Sequence, residues 1–134
     1  MSAFGTVFMP EMAISWFDGT HWSDTEMVPS NSIQLHPGAH VLHYSSTCFE
    51  GMKAFRHADG SIKIFRMASG LKRFAQSARL LALPEINVEA TGKMISDSVA
   101  HFAADVPAPP GSMYIRPTHF GTDPAIGKAA APSM

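Results

Sequence analysis

The chain has a single cysteine, Cys48, in 134 residues, which excludes an internal disulfide framework and a multi-cysteine metal site. It has almost no charge imbalance, with a formal net charge of -1, and its lysines and arginines are scattered. That excludes the basic footprint of a nucleic-acid or anionic-membrane binder, so any bound anion is expected to be small and met by single residues. No segment stays apolar for the ~18 residues of a membrane span. The opening MSAFGTVFMPEM lacks the basic region and apolar run of a signal peptide, and with Met1 read as the start it leaves little room for a targeting extension. A cytoplasmic protein is the expectation. Although there are 10 glycines, no GxGxxG or GxxxxGK run occurs among them, which excludes the common nucleotide-binding loops.

What is present is the composition of an ordinary globular domain, 46% hydrophobic and 16% charged, on a chain long enough to bury a core. Met12 to Phe17 alternates loosely, Asp18-Gly19 signals a turn, and His21-Trp22 begins a return strand. Pro29 and Asn31 punctuate the next stretch, and His40 to Tyr44 leading to Phe49-Glu50-Gly51 reads as an irregular polar loop. Met52 to His57 and Ser61 to Arg66 flank Ala58-Asp59-Gly60 as a hairpin, with Ile62 and Ile64 on one face.

From Ser69 onward Leu71, Phe74, Ala75, Ala78 and Leu81 recur at helical spacing until Pro84, which predicts an amphipathic helix. A second helix starts near Asn87, a good N-cap, and buries Ile95, Val99 and Phe102 despite the weakening glycine at 92. Pro107 to Gly111 is a loop, Ser112 to Arg116 a short strand, and residues 121–134 lack amphipathic period and read as a linker. The mixture predicts an α+β fold, helices packed on an antiparallel sheet, with residues 1–120 as the domain.

Few residues stand out chemically. Arg73 lies beside the buried stripe of the first helix, where its planar fork could reach a cleft and hold a phosphate; an ordinary solvated arginine is the plainer reading. Tyr114 and Arg116 share a strand face and together could receive a carboxylate, although a polar edge strand has the same spacing. His36, His40 and His43 invite a zinc hypothesis, but they have no second ligand cluster and no HExxH pattern, so no metal is expected. Residue spacing reaches a globular domain with two arginines available for anions, and no reaction.

Four strings say more. FGTVF at residues 4–8, LHPGAHVLHYSSTCFEGMKAFR at 35–56, FRMASGLKRFAQSARLLALP at 65–84 and MYIRPTHFGTDPAIG at 113–127 resemble the branched-chain amino-acid aminotransferases. The order and approximate spacing match over nearly the whole chain. The resemblance implies the small N-terminal domain of a fold-type IV pyridoxal-phosphate enzyme, which moves an amino group between leucine, isoleucine or valine and 2-oxoglutarate. It implies pyridoxal 5'-phosphate as cofactor, with Arg73 on its phosphate, and Phe4, Tyr44, Phe49, Tyr114 and Arg116 on the substrate, Arg116 meeting the distal carboxylate of glutamate. Glu50 and Gly51 match the family's FEG signature and take a structural role.

Lys53 does not match the lysine that holds the cofactor; that residue belongs to a larger C-terminal domain absent from this chain, so the chain alone is expected to be a truncated, inactive part. The family pattern also implies a homodimer in which the small domain reaches a neighbour's substrate pocket. Two alternatives stand beside this reading: a D-amino-acid aminotransferase or aminodeoxychorismate lyase of the same fold group, against which FGTVF and MYIRPTHFGTDP argue, and a non-catalytic binding module.

Overall fold

The computed structural model describes residues 3–127. Strand β1, Glu11–Ile14, pairs antiparallel with β2, Glu26–Pro29, and Phe17 bridges Trp22 between them. The turn is closed by Asp18, whose carboxylate accepts the backbone N–H groups of Thr20 and His21.

The centre of the domain is a pair of interrupted strands. β3, Thr47–Phe49, is followed after two residues by β4, Met52–Arg56; β6, Met113–Ile115, is followed after two residues by β7, Thr118–Phe120. β3 pairs with β7 and β4 with β6, both antiparallel, and Phe49 opposite Thr118 and Met52 opposite Ile115 belong to one continuous register. The break falls where Glu50 faces Pro117: the Glu50 N–H donates to the Pro117 carbonyl at 3.1 Å, but Pro117 has no N–H to return. β5, Ile62–Ile64, completes a three-stranded sheet by pairing with β4 across the expected Ala58-Asp59-Gly60 turn.

Strand alternation divides this ladder into two faces. Cys48, Met52, Ala54 and His119 are buried on one side. Against that side lie α2, Met67–Leu80, and α3, Val88–His101, in three clusters built around Phe74 with Cys48, around Leu71 with Met52 and Ile95, and around Val99 with Ala54 and Val106. Gly92 sits at the helix contact, where an added Cβ would stand 3.2 Å from Leu71 Cδ1. Its helix cost is therefore offset by close packing.

The structure departs from the sequence reading in three places. Leu81 is exposed and lies outside the buried stripe: α2 ends in a Schellman turn, with Ala82 N–H on Arg79 O and Leu83 N–H on Ala78 O, and Ala82 takes a left-handed φ of 53°. No glycine marks that stop. His40–Tyr44 is a short helix, α1, rather than irregular loop. Its N-terminus has no side-chain cap; His40 and Val41 donate their N–H groups to Asp123 O and Gly121 O instead. Phe102 is only half-buried, at the cap of α3. Residues 121–127 of the expected linker thus lie against α1, through an Ala39–Pro124 bridge and a bond from Gly127 N–H to Tyr44 Oη; residues 128–134 lie outside the described residues.

Candidate functional site

The ladder face turned away from the helices carries the odd residues of β3 and β4 and the even residues of β6 and β7. Tyr114 and Arg116 are both there, as strand alternation requires. Arg116 Nη2 donates to Tyr114 Oη at 3.1 Å, and the guanidinium carbon stands 4.2 Å from the centre of the Phe49 ring. Phe4, in the turn closed by Thr6 N–H on Ala3 O, sets its ring edge-on to Tyr114 at 5.0 Å. The structure therefore gathers Phe4, Phe49, Tyr114 and Arg116 into one cluster, from chain segments more than a hundred residues apart. It is an open cluster: Phe4 is 73% and Phe49 54% exposed.

Gly51 is the floor of the cluster. It faces Arg116 in the register, and a Cβ built on it would collide with the Tyr114 hydroxyl. The tyrosine lies across the strand only because no side chain is there.

Tyr44 is not with the other four. It ends α1, where its ring is 4.6 Å from that of His40 and its hydroxyl accepts the Gly127 N–H. Nor do the three histidines converge. His36 Nδ1 accepts the Gly38 N–H, His40 Nδ1 is 2.9 Å from Ser46 Oγ, and His43 Nε2 donates to Pro37 O. Among the described residues no group of three or more His, Cys, Asp or Glu side chains is arranged to hold a metal ion.

Arg73 lies on the helix side of the ladder, opposite the aromatic cluster. From α2 it makes a two-pronged pair with Glu50, Nε on Oε1 at 2.9 Å and Nη2 on Oε2 at 2.8 Å. The glutamate side chain is 12% exposed and the arginine side chain 61%. The two hydrogen bonds from Arg73 hold the Glu50 carboxyl below its ordinary range, so it stays ionised. Consecutive residues at the ladder break thus serve opposite faces, Glu50 toward Arg73 and Gly51 toward Tyr114. Sequence spacing exposed neither contact, because Glu50 and Arg73 are 23 residues apart.

An apolar cleft of about 460 Å³ runs between the β1–β2 hairpin and α3 and is lined by residues such as Ile14, Trp22 and Met94. Arg116 contributes to its lining; Phe4, Tyr44, Phe49 and Tyr114 do not. The cluster is therefore an open surface that meets this cleft at Arg116. No helix among the described residues is long and apolar enough to cross a membrane.

No protein-family model matches the chain. Individual proteins do. The mitochondrial branched-chain-amino-acid aminotransferase of Schizosaccharomyces pombe is 39% identical over 126 residues, 92% of this chain and 30% of that protein. That of Mycobacterium tuberculosis is 38% identical over 118 residues, 87% of this chain and 32% of that protein. Among solved structures, a branched-chain amino acid aminotransferase complexed with N-(5'-phosphopyridoxyl)-L-glutamate superposes with a TM-score of 0.60 at 28% identity, over 82% of this chain and 33% of that one. The chain spans about a third of the length of these relatives. By sequence and by fold, it is related over most of its residues to part of a branched-chain aminotransferase.

Proposed function

We propose that this chain is the small α+β domain of a pyridoxal-phosphate-dependent branched-chain aminotransferase, which moves an amino group between leucine, isoleucine or valine and 2-oxoglutarate. Residues 1–120 would form the domain and 121–134 lead toward a larger one that carries the lysine. The share of the relatives' length that is matched supports this division.

The observation that carries the reading is the cluster of Phe4, Phe49, Tyr114 and Arg116 on one open face. Its chemistry suits a pocket with two tasks. Aromatic rings give an aliphatic side chain an apolar wall, while a guanidinium held by a phenol and stacked on a ring offers a directional partner to the distal carboxylate of glutamate. The exposed rings of Phe4, Phe49 and Phe65 suit a face that a second domain covers.

Arg73 fits the cofactor's phosphate. A guanidinium has five N–H donors, and Glu50 engages only its Nε and Nη2 side. The Nη1–Nη2 end remains as a second fork, on the edge next to the one the carboxylate holds, with the geometry that pairs two oxygens of a phosphate. Bound pyridoxal phosphate supplies the electron-withdrawing ring that lets the amino group change carbons. Tyr44, remote from the cluster in its own chain, belongs to a substrate pocket through a neighbouring copy in a homodimer.

The test is turnover by the intact protein that carries this chain. Leucine-dependent formation of glutamate from 2-oxoglutarate is expected, with isoleucine and valine also accepted. Preference for D-alanine, or amine elimination without transfer, would assign the protein to a different activity of the same fold; no turnover in the intact protein would leave a binding module.

A further inference from the structure

We propose that Glu50 is a positioning residue for Arg73, holding the guanidinium side-on so that its outer fork is aimed at the cofactor's phosphate. The proposal rests on the reading of Arg73 as the phosphate grip. Two observations support it. The Glu50 backbone is fixed in the ladder by its N–H bond to Pro117 O, and its side chain is nearly buried, so the carboxylate is a rigid anchor. Arg73 is mostly exposed on the surface of α2, and an arginine so placed has many rotamers to lose on binding.

Both prongs of the pair are within 3 Å, on Nε and Nη2. That leaves the arginine rotation about neither of its last bonds without breaking a bond to Glu50. The carboxylate sits on the Nε–Nη2 edge, next to the Nη1–Nη2 edge, so it orients the donors of the outer fork without occupying their place. A competing role is the alternative: Glu50 would then have to release Arg73 before any anion could bind.

The two roles predict opposite signs. Affinity for pyridoxal phosphate would be measured by fluorescence titration on the intact protein and on E50Q, R73A and the double variant. Positioning predicts that E50Q weakens binding roughly threefold to tenfold, and that the same change has no further effect once R73A has removed the guanidinium. A loss of equal size with or without Arg73 would mean that Glu50 only supports the fold, and tighter binding by E50Q would mean that it competes; either overturns the proposal. Unchanged affinity in R73A would instead sink the assignment of Arg73 itself, and with it this role. Should E50Q fail to fold, E50D keeps the charge one methylene short, and the same coupling to R73A is expected of it.

Discussion

The Tyr114 hydroxyl occupies the space that a side chain on Gly51 of the neighbouring strand would fill, and there it accepts a bond from Arg116, two residues along its own strand. A missing side chain on one strand thereby sets the tilt of a tyrosine on the next.

Gly51→Ala should move Tyr114 off the strand and break its bond to Arg116. Because Gly51 does not have a left-handed φ, the backbone accepts alanine and the cost is steric, about 1–3 kcal/mol. In the intact protein the KM for 2-oxoglutarate should rise about tenfold, for a loss of roughly 1.4 kcal/mol of binding. An alanine variant with wild-type KM would show that Tyr114 does not shape the site.

Arg116→Gln removes both the stack on Phe49 and the charge proposed above to meet a distal carboxylate. The effect should divide by substrate: kcat/KM falls at least tenfold for glutamate and 2-oxoglutarate, about 1.4 kcal/mol or more, and little for leucine. Parallel steady-state assays check this, and an equal loss for both classes would count against a carboxylate-reading role.

Ala82→Gly should stabilise the chain. Ala82 holds a φ of 53° in the turn that ends α2, a conformation an L-residue adopts at a cost of about 1 kcal/mol and glycine does not. Chemical denaturation should show a gain of that order, less the extra freedom glycine adds to the unfolded chain. A net loss would mean that the unfolded-state term dominates.

His119 should make stability fall with acid. It is buried between the rings of Trp22 and Phe74, donates from Nε2 to Pro84 O, and burial pushes its pKa below the ordinary 6.5. The folded state therefore binds fewer protons than the unfolded one. Stability is complete above 6.5 and declines as pH drops below it. Unfolding curves between neutral pH and mild acid should show this decline, and His119→Gln should flatten it; an unchanged slope would point to another titrating group.

The long-period features could be read without the structure. The apolar spacing from Leu71 to Ala78 identifies α2, Asn87 does cap α3 by accepting the Ala90 N–H, and the Ala58-Asp59-Gly60 turn does join β4 and β5. The short ones could not. β3 and β7 have three residues each, too few for a repeat to register, and α1 receives its N-terminal acceptors from residues 121 and 123 rather than from a capping side chain of its own.

The residues that gather in the cluster, Phe4, Phe49, Tyr114 and Arg116, were each picked out from the strings, and Tyr114 with Arg116 also as a strand face. Their contacts were not, since Phe4 reaches Tyr114 and Arg73 reaches Glu50 only through folding.

Sequence alone determined what depends on neighbours along the chain: helix period, turn chemistry, and which side of a strand a residue takes. Tertiary structure alone decided which strands meet, and so which face looks outward. That division follows from the range of the forces. Local propensities act within a few residues, whereas the register that sets Glu50 against Pro117 arises from burying Met52, Ala54 and Cys48 under two helices. It is that burial which turns Glu50 toward Arg73 and leaves Gly51 beneath Tyr114.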